Sequence, residues 1–212
     1  MKKIEKSEQL CENITLDIDS DCALMCQVAE GSQHAFRMIV EKWQKPLMNY
    51  FFRSCNDVYS SQDMAQLTFV NLYKARQTYA NYILGTDSDK PKAKFSTYLF
   101  SIARNVLISE HRKNVRRPAD VSDPFEMEYS DDSDTHSDLK ELEEIFYKTV
   151  ETLPENQRTA ILLLKQQELS YEEIADIMQA NLQSVKTWIH RARISLRDAL
   201  KKANTPNSQA SR

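Results

Sequence analysis

The sequence predicts an all-α protein of two small helical domains joined by an acidic flexible linker, the C-terminal one a helix-turn-helix. Three observations predict it. Only two glycines, Gly31 and Gly85, occur in 212 residues, which disfavours all-β hairpins, Gly-rich phosphate cradles and Rossmann turns. Apolar residues recur at helical spacing in several separate stretches. The segment 118–138 holds Pro118, Pro124 and eight acids (Asp120, Asp123, Glu126, Glu128, Asp131, Asp132, Asp134, Asp138) with no Lys or Arg, a composition that cannot bury enough apolar surface to order itself.

The linker divides the chain into a flexible N-terminus at 1–17, an N-terminal domain at 18–117, a C-terminal domain at 139–203 and a flexible tail at 204–212. A content of 41% hydrophobic and 28% charged residues gives each domain enough apolar material for its own core. Net charge is −3, but removing the eight linker acids leaves +5 on the rest, so the acidic stretch masks a mildly basic remainder. The four cysteines, Cys11, Cys22, Cys26 and Cys55, form no C-x-x-C pair, and no secretion signal precedes them. Reduced thiols in a cytoplasmic protein are expected. Cys22 and Cys26, one helical turn apart, could begin a metal or redox site but would still need further ligands, so no metal or cofactor is expected. No apolar run approaches the ~20 residues of a membrane helix.

In the N-terminal domain, 22–30 forms a short helix stopped by Gly31, and Ser32 caps a long helix toward Cys55. Pro46 should kink or restart that helix. Ser60 or Ser61 is placed to cap a third, with Ala65, Phe69, Leu72 and Tyr73 on its core stripe. The polar, broken segment 83–94 reads as a loop. A fourth helix starts near Phe95 and carries Leu99, Ile102, Val106 and Leu107, with Phe95 and Leu99 expected in the core.

The C-terminal domain begins with a helix at 139–152, then a break at Leu153-Pro154 and a second helix at 155–167, for which Pro154 suits the first turn. Ser170 and Glu173 make an S-x-x-E capping box before Ile174, Ala175 and Ile177. A turn at 179–182 leads to a last helix at about 183–202. The small Ala175, the tight turn and the branched Val185 are what two crossing helices of a helix-turn-helix require, although Gln179 stands where a left-handed residue, normally Gly, belongs.

Three surfaces carry chemistry. On the last helix Val185, Ile189, Ala192 and Leu196 face inward, which turns Lys186, Thr187, His190 and Arg191 outward to meet a major groove. Arg193, Arg197, Lys201 and Lys202 extend the cationic side for phosphate contact. On the third helix Asp63, Gln66, Leu67 and Val70 share a face opposite the core, a mixed apolar and polar surface suited to a partner helix. The fourth interleaves Phe95, Tyr98 and Phe100 with Arg104, Asn105, His111, Arg112, Lys113, Arg116 and Arg117, stacking groups beside cations as single-stranded DNA requires.

Four stretches together resemble the extracytoplasmic-function (ECF) sigma factors of the sigma-70 family: Gly31 with Ala35-Phe36; the run Ser61 to Phe69; Phe95 to Leu99 continuing into Ile102-Ala103-Arg104-Asn105; and Leu153-Pro154 with Gln157-Arg158, Ser170 to Ala175, Ser184-Val185-Lys186 and Arg191-Ala192-Arg193. The resemblance implies a non-enzymatic subunit that binds core RNA polymerase and promoter DNA, takes no small-molecule substrate, and can have an anti-sigma factor as partner. It implies polymerase contact through Asp63, Gln66, Leu67 and Val70, and minus-ten recognition through Tyr98, Arg104, Asn105, Arg112 and Lys113. Minus-thirty-five recognition falls to Lys186, Thr187, His190, Arg191 and Arg193. Leu67 stands where the family usually carries an acid, Tyr98 where it carries Trp, and Ser109 where Asp is common. The second reading from the residues is a helix-turn-helix regulator acting without being a polymerase subunit.

Overall fold

The computed structural model describes residues 20–84, 94–116, 137–167 and 169–203. The expected linker core, the termini and most of the 83–94 loop lie outside them. Among the described residues the protein is built of helices: α1 (Ser20–Ala29), α2 (Gln33–Cys55), α3 (Val58–Lys74), α4 (Arg76–Leu84), α5 (Phe95–Arg116), α6 (Ser137–Glu151), α7 (Glu155–Gln167), α8 (Tyr171–Met178) and α9 (Leu182–Ala203).

The N-terminal bundle is α1–α5. Gly31 adopts φ +103°, which ends α1 without Cβ strain. Ser32 caps α2 as expected, its hydroxyl accepting from the Ala35 N–H at 3.2 Å. The helix runs on through Pro46 rather than restarting. Proline removes one backbone bond, but Leu47, Tyr50 and Phe51 just beyond it are completely buried, and burial at roughly 1.5–3 kcal/mol per large apolar side chain outweighs that loss. The α1–α2 pair is fastened by Asp21, only 2% exposed. Its carboxylate accepts from Lys42 Nζ at 2.7 and 2.8 Å and from Trp43 Nε1 at 3.1 Å.

Two expectations for α3 need correction. The cap is Asp57, which accepts from the Tyr59 N–H at 3.0 Å and from the Ser60 hydroxyl, so Ser60 and Ser61 lie inside the first turn. Of the expected core stripe, Ala65, Phe69 and Leu72 are buried, but Tyr73 is 40% exposed. It sits at the bundle edge, its ring 5.1 Å from Phe36 and beneath the Arg76 guanidinium. Met64 and Thr68 complete the stripe. A break at Ala75 then starts α4, a short helix that the sequence reading did not separate. Helix α5 starts at Phe95 as expected, with Phe95, Leu99 and Phe100 fully buried.

The C-terminal bundle is α6–α9. Val150, Leu162, Leu163, Ile174, Val185 and Ala192 form its centre, each fully buried. The capping box is complete: Ser170 accepts from the Glu173 N–H at 3.1 Å, and the Glu173 carboxylate accepts from the Ser170 N–H at 2.7 Å. Gln179 ends α8 in the left-handed region, at φ 50°, as the turn demanded. Because a residue with a Cβ is strained there by about 1 kcal/mol, Gln179→Gly is expected to raise C-terminal stability by roughly that amount in chemical denaturation, and no gain would mean that the side chain compensates locally.

The two bundles are seated against each other. Helix α5 lies on α8, and α2 lies on α7 and touches α6, so buried residues of both join in one apolar cluster.

Candidate nucleic-acid and partner interfaces

Asp63, Gln66, Leu67 and Val70 all stand exposed on the outer side of α3, with Leu67 at 40% and Val70 at 47%. The inward stripe of Ser61, Met64, Ala65, Thr68 and Leu72 forces this, since residues three and four apart share one face. The sequence reading missed Tyr59, one turn before Asp63 and 77% exposed. It lengthens the face toward the α3 N-terminus, and its place one turn from Asp63 was the available signal.

The five minus-ten candidates on α5 do not form one open surface. Asn105, Arg112 and Lys113 are exposed, and Lys113 pairs with Glu110 at 2.9 Å. Tyr98 is half-buried, its ring 4.6 Å from that of Tyr79, and this burial raises its phenol pKa. Arg104 is half-buried. It and Glu155 of α7 both act electrostatically on Tyr50, whose phenol is pushed far up, chiefly by burial. Phe95 and Phe100 are core residues, their rings packed tilted and edge-on against Trp43, so they offer no stacking platform for bases.

On α9, Lys186, His190, Arg191 and Arg193 are exposed and Thr187 half-exposed, above the buried Val185, Ile189 and Ala192. Lys186, Thr187, His190 and Arg193 line one hollow together with Gln183 and Tyr171. Arg191 does not line that hollow, although its i, i+4 spacing sets it beside Thr187 on the helix. Gln183 and Tyr171 were missed, although Gln183 is the second residue of α9 and recognition helices present their N-terminal residues to base edges. Asn181 is occupied as a cap, its Oδ1 accepting from the Ser184 N–H at 2.7 Å, and the Thr187 hydroxyl donates to the Gln183 carbonyl at 2.9 Å.

Glu173 does more than cap α8. Its Oε1 lies 3.2 Å from Lys94 Nζ and accepts from the Thr97 hydroxyl at 3.5 Å, across the junction. Partial burial pushes its carboxyl up, but the Ser170 and Lys94 contacts outweigh this and hold it below the usual value of 4.5. A depressed native pKa gives stability that is present above the unfolded value and lost as pH falls through the native one. Thermal melts should therefore show an acid-side loss below about pH 4.5 that is smaller in Glu173→Gln; equal acid profiles would remove Glu173 as its source. Elsewhere Cys22 and Cys26 are buried, with Cys22 Sγ 3.0 Å from the Tyr79 hydroxyl. Among the described residues no group of three metal-ligating side chains assembles, and no helix is long and apolar enough to cross a membrane.

The segments bearing these surfaces match two family models: sigma-70 region 2 at residues 39–117 and sigma-70 region 4 at 143–196. The chain is 31% identical to the ECF RNA polymerase sigma-E factor of Escherichia coli strain K12 over 189 residues, covering 82% of this chain and 91% of that one. The chain belongs to the ECF sigma factors of the sigma-70 family. The sigma-E factor of Haemophilus influenzae is 30% identical, with 82% of this chain and 92% of that one covered. The sigma-H factor of Pseudomonas aeruginosa is 29% identical, with 86% and 94% covered. Two solved structures share the fold: CnrH in complex with the cytosolic domain of CnrY (TM-score 0.60, 24% identity, 88% of this chain and 100% of that one), and RpoE in complex with the anti-sigma factor NepR from Bartonella quintana (TM-score 0.58, 21% identity, 78% and 96%). As an ECF sigma factor the protein binds core RNA polymerase and directs it to promoters. The regulator reading is thereby set aside, because it left the region 2 segment without a role.

Proposed function

We propose that the bipartite reading is divided among three helices: α3 holds the polymerase, α5 engages the minus-ten element and α9 reads the minus-thirty-five element. The observation that carries it is the exposed row of Asp63, Gln66, Leu67 and Val70 inside the region 2 match. A helix face of two polar anchors beside two exposed aliphatics suits a partner helix, and Tyr59 extends it with an aromatic of the kind that anchors interfaces. Asn105, Arg112 and Lys113 meet the minus-ten strand first, with Tyr98 and Arg104 following when the surface opens. Lys186, Thr187, His190 and Arg193 enter the major groove with Gln183, whose amide can pair with an adenine edge, while Tyr171 and Arg191 contact the backbone.

The domain limits that go with this reading are 18–117 and 139–203, with 118–138 as the connecting linker. The subunit performs no reaction of its own and works in the cytoplasm beside the polymerase. An anti-sigma factor fits as a further partner, supported by the solved neighbour held by NepR.

Binding to promoter duplex with and without core polymerase tests the division. Binding is expected to be weak for the free chain and promoter-specific in the complex; tight specific binding by the free chain alone would overturn it. The double substitution Asp63→Ala with Gln66→Ala should weaken core association at least tenfold while leaving the helical fold intact. Unchanged association would remove α3 as the polymerase face.

A further inference from the structure

We infer that Gln183 fixes the identity of one base pair of the minus-thirty-five element, an adenine met by the start of α9, beside a base pair that offers acceptors to Lys186. The inference deepens the assignment of α9 to that element and rests on it.

Helix capping does not call on the Gln183 side chain. Gln183 is the second residue of α9 and stands exposed. The helix start is already capped by Asn181, whose Oδ1 accepts from the Ser184 N–H at 2.7 Å. One turn on, the Thr187 hydroxyl donates to the Gln183 backbone carbonyl at 2.9 Å. Neither bond uses the Gln183 amide. The side chain lines a hollow with Tyr171, Lys186, Thr187, His190 and Arg193, on the side of α9 turned away from the buried Val185, Ile189 and Ala192.

The side chains around that hollow divide by chemistry. Lys186 and Arg193 are donors only, so they meet guanine edges or phosphates. The Thr187 proton is committed to the helix carbonyl, which leaves its methyl and lone pairs toward the groove. Gln183 is the one that ends in a planar amide with a donor and an acceptor side by side. In the major groove adenine presents N7 as acceptor beside N6 as donor, and the two pairs match edge to edge. Guanine presents two acceptors there, N7 and O6, which would set the amide oxygen against O6 with no proton between them. Being neutral, the amide gains little from the attraction of phosphates that the neighbouring cations exploit. Its worth to the complex lies in the directional pair.

Spacing sets the neighbours of that adenine. At a rise of about 1.5 Å per residue, Gln183 lies roughly 4.5 Å before Lys186 and about 10.5 Å before His190 along the helix axis. Base pairs repeat every ~3.4 Å, so these intervals correspond to about one step and about three. Gln183 and Lys186 therefore address neighbouring base pairs, and His190 the far end of the same short site. Recognition helices present their N-terminal residues to base edges, which is where Gln183 stands. Tyr171 of α8 walls the same hollow, and a side chain already confined on one side loses less rotamer freedom on binding.

The test is selection from promoter DNA with a randomised minus-thirty-five element by the full chain in complex with core polymerase, followed by sequencing of the bound DNA. The native protein should enrich adenine at one position about 5- to 150-fold over the other bases, the ratio that one matched base-edge contact supplies. Gln183→Ala should level that position and leave the preferences at the others in place. Gln183→Arg should turn the same position to guanine, whose two acceptors fit the guanidinium fork, and a switch of preference cannot come from misfolding. Superimposable native and Gln183→Ala profiles, an equal flattening at every position, or adenine retained by Gln183→Arg would overturn the inference. A native profile without preference at any position would overturn the assignment of α9 together with it. The inference fails alone when other positions stay selective and respond to Lys186→Ala with His190→Ala, while none responds to Gln183→Ala.

Discussion

Phe100→Ala should cost the N-terminal bundle about 3–5 kcal/mol, the range for removing a completely enclosed aromatic ring. Phe100 has no exposed surface, and its ring packs edge-on against Trp43 at 6.1 Å and Tyr50 at 5.4 Å. Trp43 is itself tied to Asp21, so the rings around the new void are restrained from closing it. Chemical denaturation of the full chain, followed by circular dichroism, gives the difference directly. Phe100→Leu, which keeps most of the volume, should lose roughly 1–1.5 kcal/mol. An alanine variant that lost under about 1 kcal/mol would mean that α5 can slide into the space and that its register is not fixed by this ring.

Substituting Lys186→Ala and His190→Ala together is expected to weaken promoter binding by the polymerase complex about 30- to 1,000-fold. Each good base-edge contact is worth roughly 1–3 kcal/mol of discrimination, and Lys186 also neutralises charge beside the groove. Both side chains are exposed on one side of α9, and its stability rests on the buried Val185, Ile189 and Ala192 beneath, so the fold should survive. The informative comparison is a promoter whose minus-thirty-five element is scrambled. There the native and doubly substituted proteins should bind alike within a few-fold, because the contacts being removed were no longer matched. A loss of equal size on both promoters would assign Lys186 and His190 to the phosphate backbone.

Local chemistry was legible in the sequence wherever one residue type had one available role. Ser32, the Ser170/Glu173 box and the left-handed Gln179 are fixed by neighbours within a turn, and each stands where the sequence placed it. The α3 cap was misplaced because Ser60 and Ser61 offer the same oxygen chemistry as Asp57 three or four positions earlier. Only the geometry shows that the Ser60 hydroxyl serves Asp57 rather than the helix end. Helix α4 was not separated because its stretch, Arg-Gln-Thr-Tyr-Ala-Asn-Tyr-Ile-Leu, carries little apolar periodicity. Its place is decided by Tyr79, Ala80 and Ile83 packing inward.

The outward faces of α3 and α9 followed from periodicity alone, whereas the minus-ten surface did not. Tyr98 and Arg104 are both half-buried, and the ring against Tyr98 is that of Tyr79, remote in sequence. The bond from Thr97 to Glu173 spans 76 positions, and no spacing rule connects them. Capping chemistry made Glu173 visible as a local residue and concealed it as a long-range one.

The tie between Asp21 and Trp43 has a practical consequence. The chain contains two tryptophans, Trp43 and Trp188, and the fold deals one to each bundle. Trp43 has its indole N–H held by a buried carboxylate, while Trp188 is only partly covered, one residue along α9 from Thr187. The protein thus comes with two built-in fluorophores of different surroundings. Trp43→Phe would leave an emission that reports on the groove-facing helix alone, and Trp188→Phe one that reports on the first bundle, so that the two halves can be watched separately without a foreign label.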